Sequence, residues 1–294
     1  MRRVRQSAAP KHHKSPLRAR TAGPSSDQNM AMRLKILGSG SAGNCAVLHT
    51  GGARVLIDAG FSSRKLRQLL HDAGESLEKI DAVFLTHEHG DHAAGIEGLK
   101  KFPHIRIYAN AATARAVQAK LDHKASWHLF ETGSRFTFLD LEIESFHVPH
   151  DAQEPVGFTF SHGHESDLLI PRRRLAWLTD LGHAPQHIHE RIRDVDVVVV
   201  ESNHCPRLLE ADVKRPWPTK QRISGRHGHL SNDNMRELLE AVASPRWQHV
   251  FLTHISRDCN SAEAIEASLA GLRTRLSCRF NIVASGGGAD VCEF

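Results

Sequence analysis

The sequence predicts a single large α/β domain whose chemistry lies along one edge of a sheet, on three observations. Short β-rich runs alternate with amphipathic helical stretches from Met32 onward, several of those runs end in His, Asp or Glu, and the 294-residue chain carries 22 histidines. That length fits one domain with ample core. A hydrophobic share of 40% with 24% charged residues is that of a soluble globular protein. No apolar run approaches the roughly 20 residues that a bilayer span needs, so no membrane role is expected. Five cysteines without a C-x-x-C pair disfavour both a disulfide framework and a thiolate zinc knuckle, and point to a reducing cytoplasm.

Residues 1–31 form the first unit, rich in Arg, Pro and Ser and without an apolar centre. This basic tail is expected to be disordered. An organellar transit peptide and a natural start at Met30 or Met32 are the other readings, and an intact mass of native protein separates them. Residues 1–30 hold seven Lys/Arg against one Asp, which leaves 31 basic and 32 acidic residues in the rest of the chain. The body is therefore close to neutral, so any nucleic-acid function has to be argued from a site rather than from bulk charge.

The second unit, residues 32–294, begins with strands over 32–37, 45–49 and 53–58, the last two joined at Gly51-Gly52 as in a hairpin. Ser62 or Ser63 caps a helix ending near Gly74, with Leu66, Leu69 and Leu70 at helical spacing. Further strands end at Thr86, Tyr108, Val148, Thr179, Glu201 and Thr253, with helices near 92–102, 111–121, 185–193, 231–243 and 261–275. Gly38-Ser-Gly40-Ser-Ala-Gly43 matches a dinucleotide fingerprint, and Asp58 lies 20 residues beyond Gly38. A phosphate site of that kind needs a helix N-terminus after the glycines, whereas Cys45-Ala-Val-Leu-His49 reads as a strand. The segment is better read as a tight turn whose backbone comes close to the active site.

The strongest signal is His87-Glu-His89-Gly-Asp91-His92, four ligand side chains directly after the apolar run Ala82–Thr86. Histidines two apart can converge on one ion while Asp91 and His92 turn toward a second. Other strands then end in matching residues at His150, Asp180 and His254. An isolated His or Asp at a strand end is usually a turn or cap; together with the loop they form a set on one sheet edge, where loops on a rigid scaffold build catalytic sites.

This pattern, H-x-H-x-D-H with downstream His, Asp and His, resembles the metallo-β-lactamase superfamily over residues 32 to about 285. The resemblance implies an αββα four-layer sandwich holding two divalent ions, zinc first and manganese second. It implies that His87, His89 and His150 hold one ion, Asp91, His92 and His254 the other, and that Asp180 bridges them. Asp58, in Leu-Ile-Asp-Ala-Gly60, corresponds to the residue that orients the ligands from beneath. Two ions roughly 3.5 to 4 Å apart activate a shared water, so a metal-bridging hydroxide attacking phosphorus is the expected chemistry.

Six motifs in order are similar to the WalJ (YycJ)-like branch: Gly38–Cys45, Thr86–His92, His150-Asp-Ala with Pro155-Val-Gly157, Thr179–Gly182, Glu201–His204 and Gly228–Asn232. That likeness implies a 5′-to-3′ DNA exonuclease connected with cell-wall metabolism and replication. Two departures bear on substrate grip: Arg215-Pro-Trp-Pro stands where the branch often has Tyr-Pro, and Ser256-Arg-Asp-Cys-Asn260 does not end in two Asn.

A departing sugar oxygen needs a proton, and Glu201 and His229 are the candidates to supply it. Ribonuclease Z has a similar Glu and His pair followed by Leu-Thr-His-Ile-Ser, as here at Leu252–Ser256. The other reading of His229 is a loop residue that caps the next helix. Lys220, Arg222 and Arg226 with Trp217 combine phosphate-binding and stacking side chains suited to single-stranded DNA or, less well, RNA; a solvated basic loop is the alternative. Only 29 residues separate His150 from Asp180, too few for the tRNA-clamping arm of typical ribonuclease Z. Two rival functions stand: hydrolysis of a small cyclic phosphodiester or thioester, and a non-catalytic metal-dependent nucleic-acid-binding module. The sequence leaves the oligomeric state open.

Overall fold

Alternation and β-branched runs decide the strands of the structure, a computed structural model that describes residues 31–163 and 172–294. All but the last residue of the basic tail lies outside the described residues. The first sheet contains β1 (Arg33–Gly38), β2 (Cys45–His49), β3 (Arg54–Ile57), β4 (Ala82–Phe84), β5 (Arg106–Ala109) and β6 (Trp127–Leu129) in that order. The second contains β7 (Arg135–Phe138), β8 (Leu141–His147), β9 (Val156–His162), β10 (Arg173–Leu178), β11 (Val197–Glu201), β12 (His249–Thr253) and β13 (Arg279–Ile282), also in chain order. The C-terminal β14 (Cys292–Glu293) returns to the first sheet and pairs antiparallel with β1.

Both sheets turn parallel where the chemistry begins. β3, β4 and β5 pair parallel, and so do β10, β11, β12 and β13, so the C-terminal ends of these strands share an edge within each sheet. Strands buried on both faces read as continuous apolar runs, which explains Val197-Val-Val-Val200. Phe84, Phe158 and Phe160 fill the space between the sheets, with Phe84 packed edge-on at 5.7–6.1 Å from the other two rings.

Helices cover the outer faces. On the first sheet lie α1 (Ser63–Asp72), α2 (Gly90–Ala93) and α3 (Ala111–Gln118), with Leu66, Leu70, Ile96 and Val117 in one apolar cluster. Then come α4 (Gln186–Arg193), α5 (Pro206–Ala211), α6 (Trp217–Ser224), α7 (Asn232–Val242) and α8 (Ala262–Arg275); α4, α7 and α8 pack on the second sheet through Ile188, Met235, Leu239 and Leu269, and α5 packs against α6. The result is the four-layer αββα sandwich that the sequence implied. No helix among the described residues is long and apolar enough to cross a membrane.

Two segments differ from expectation. The helix expected over 92–102 is a single turn, α2, followed by a 3-10 run over Ala94–Lys101. Its glycines explain this: a Cβ on Gly98 would lie 1.6 Å from Ser63 Oγ and one on Gly95 2.7 Å from the Ala59 carbonyl. The segment is pressed against α1 and the end of β3, and the tighter winding fits that space. The stretch around Trp217 and Lys220, open to a loop reading, is helical, because Pro218 falls in the first turn, where its missing N–H costs nothing.

Candidate metal centre

Each ligand candidate is delivered by a strand end or by the loop that follows. β4 runs into the His87–His92 loop and α2, β8 into His150, β10 into Asp180 and β12 into His254. Asp58, Asp180 and His254 all have positive φ, 58°, 58° and 53°. Such backbone is costly for residues with a Cβ and persists where surrounding structure fixes it, typically at functional sites.

The seven candidates converge. Ligand atoms of His87, His89 and His150 lie within 4.8 Å of one another, and so do those of Asp91, His92 and His254. Asp180 faces both groups: its Oδ2 is 3.1 Å from His92 Nε2, while its Oδ1 is 3.5 Å from His254 Nε2 and 3.8 Å from His150 Nε2. His87 Nε2 and His254 Nε2 are buried without a hydrogen-bond partner. Buried polar atoms are normally satisfied, so orphans converging from several elements fit a cation. Imidazole and carboxylate donors suit a divalent metal. Cys45 is not a competing ligand, because burial and the Asp58 carboxylate push its thiol well above its usual pKa.

The groups behind the ligands fix which ring nitrogen faces the centre. Asp58 Oδ2 holds His92 Nδ1 at 2.8 Å, and the same carboxylate accepts from Thr86 N at 2.8 Å. His150 Nδ1 donates to the Gly228 carbonyl at 3.0 Å. His254 Nδ1 lies 3.3 Å from Glu201 Oε2, and its backbone N–H donates to Ser39 Oγ at 2.7 Å. His92, His150 and His254 thus each turn Nε2 toward the centre.

Sequence reasoning had no role for three further residues. Asn44 Nδ2 lies 3.0 Å from His92 Nε2 and 3.2 Å from the Asp91 carbonyl. Thr86 Oγ1 links Asp58 to His87 Nδ1 at 2.9 and 3.0 Å. Asn203 Nδ2 donates to the His254 carbonyl at 2.8 Å. The glycine-rich turn does approach the site, as expected: Asn44 N donates to the Asp91 carbonyl at 2.7 Å.

Glu201 and His229 stand beside the ligands. His229 Nδ1 is 3.1 Å from Glu201 Oε2 and 3.6 Å from Asp180 Oδ1. Glu201 Oε1 accepts from the backbone N–H groups of Leu181 and Leu230, each at 2.8 Å. Burial would raise the pKa of Glu201, but His229 and the hydrogen bonds from His229 and His254 outweigh it and hold the carboxyl at about 2. Ser231, not His229, caps α7, accepting from Asn234 N at 3.1 Å. Of the basic side chains, Arg222 Nε pairs with Asp151 Oδ2, Lys220 Nζ donates to the Glu210 carbonyl at 2.7 Å, and Arg226 lies against His183 at 3.0 Å. Trp217 is 64% exposed.

The carboxylates around the ligand rings make metal binding sensitive to pH. Burial favours neutral imidazole, but Asp180 and Asp58 outweigh it at His92 and raise its pKa well above normal. At His254 burial is likewise overcome, first by Asp180, and the pKa reaches about 10. The carboxylates thus favour protons on both rings, and a metal binding there competes with those protons. Metal affinity is therefore expected to rise from pH 6 to pH 8, by up to about tenfold per pH unit for each proton displaced. Competition titrations against a chelator read this directly, and an affinity flat across that range would contradict it.

A domain model described as the β-lactamase superfamily domain matches residues 53–255. Exodeoxyribonuclease WalJ of Streptococcus pneumoniae is 34% identical over 239 residues, covering 80% of this chain and 85% of the relative. Exodeoxyribonuclease YycJ of Bacillus anthracis is 30% identical over 243 residues, 82% of this chain and 89% of the relative. The metallo-β-lactamase fold protein YhfI of Bacillus subtilis superposes with a TM-score of 0.66 at 18% identity, over 90% of this chain and all of its own. That last likeness speaks for the fold alone. The strand-end ligand edge, the matched domain and the two long alignments lead to one assignment: the chain belongs to the metallo-β-lactamase superfamily of metal-dependent hydrolases, in its WalJ/YycJ branch.

Proposed function

We propose that the chain is a binuclear metal phosphodiesterase that shortens DNA from its 5′ end. The observation that carries the reading is Asp180, one carboxylate facing two separate three-residue ligand sets. In this reading His87, His89 and His150 would hold one ion and Asp91, His92 and His254 the other, with Asp180 in reach of both sets and zinc preferred over manganese. Such ions supply Lewis acidity toward phosphoryl oxygens and lower the pKa of water.

The chain's own groups do the rest. Asp91, whose side chain is 23% exposed against 3% for Asp180, is the carboxylate best placed to accept a hydrogen bond from an attacking water. His229, with Nδ1 held by Glu201, keeps Nε2 to protonate the departing sugar oxygen. Glu201, held ionised with both oxygens engaged, orients His229 rather than giving up a proton itself. The names of the two relatives support DNA as substrate. Five free cysteines support a reducing cytoplasm.

Metal-loaded protein incubated with end-labelled DNA and RNA, with products resolved by length, tests the reading. Stepwise shortening of DNA from the 5′ end is expected. Internal cuts, cleavage of RNA alone, or activity restricted to small cyclic phosphodiesters would overturn it.

A further inference from the structure

A cleft outside the ligand set has the marks of a ligand site. It measures about 290 Å³ and is lined by His204, Leu209, Trp217, Gln221, Ser231 and Asn234 among others. That is close to the lower end of small-molecule sites and suits one flat ring. Two features of the fold are left without a structural reason. α6 buries none of its residues, yet it carries Trp217 with 64% of its surface in solvent. His204 is only 2% exposed, and its Nδ1 has no hydrogen-bond partner. Burial holds this imidazole neutral, with a pKa of about 4, so it is able both to donate and to accept.

Backbone pairing ties the wall of the cleft to the candidate metal centre. His204 and Ser231 are bridged through their backbones, and Asn203 N donates to the Leu230 carbonyl at 2.9 Å. The Asn203 side chain in turn holds the His254 carbonyl. One short loop thus places His229 at the centre and Ser231 on the cleft wall.

We propose that this cleft seats the base of a nucleotide next to the scissile phosphate, with Trp217 as the stacking face and His204 and the Asn234 amide as the polar groups of its wall. The proposal rests on the phosphodiesterase reading above and adds the part of the substrate that the protein grips. An aromatic face with a few adaptable polar groups tolerates any base, as an exonuclease that shortens strands of any sequence requires.

Deoxyadenosine 5′-monophosphate and deoxyribose 5-phosphate differ by the base alone, and neither holds a phosphodiester to cleave. Calorimetric titration of the metal-loaded protein is expected to show the nucleotide binding about tenfold more tightly or better. Trp217→Ala should remove that preference and Trp217→Phe should keep most of it; the exposure of the side chain makes both variants compatible with the fold. Equal binding of the two probes, no binding of either, or an unchanged preference in Trp217→Ala would overturn the base site. DNA hydrolysis measured in parallel separates the two ideas. A base preference without any hydrolysis would sink the nuclease reading, whereas hydrolysis without a base preference would sink this site alone.

Discussion

Asp180→Asn is expected to lower hydrolysis of DNA by about 10³-fold or more while leaving the fold intact. The side chain is 3% exposed and reaches both ligand sets, Oδ1 facing His150 of one and His254 of the other while Oδ2 faces His92. Asparagine keeps the shape and tolerates the positive φ of 58° at this position, so the change removes charge rather than backbone geometry. A group behind a single ligand typically costs 10–100-fold when lost. A carboxylate shared between two ions should cost more, because both positions loosen together. Elemental analysis should find fewer ions bound per chain, with circular dichroism unchanged. Two ions retained with near-native turnover would refute the shared role.

The parts of this centre that could be read from sequence are those that are local. Four candidate ligand side chains within His87–His92 announce themselves, and His150, Asp180 and His254 each follow an apolar strand by three residues or fewer. Strand periodicity therefore carried most of the site. What could not be read is the support between distant segments. Asn44 reaches His92 across 48 positions, Asn203 reaches His254 across 51, and no local pattern encodes such pairs. Gly60 is a case of the same kind: a Cβ there would lie 1.7 Å from the Asp91 carbonyl, a constraint that exists only once the metal loop has folded over β3. The helix α6 escaped for another reason. It buries nothing, so it lacks the apolar stripe by which helices are recognised.

His229→Ala is expected to slow hydrolysis of DNA by about 10²- to 10⁴-fold, the range of a lost proton donor, and to slow an activated aryl phosphodiester far less. The comparison isolates one step. A sugar alkoxide leaves poorly without a proton, whereas a nitrophenolate leaves unaided, so only the first substrate requires the imidazole. The structure removes the bland alternative for this residue, since the α7 cap is made by Ser231 and the Nδ1 of His229 is committed to Glu201. His229 also stacks on His254 with centroids 5.1 Å apart, which keeps the ring beside the ligands without making it part of either three-residue set. Because of that contact, metal content has to be measured for the variant. With metal retained, equal slowing of both substrates would mean that His229 serves the centre's geometry and that the leaving oxygen draws its proton from elsewhere.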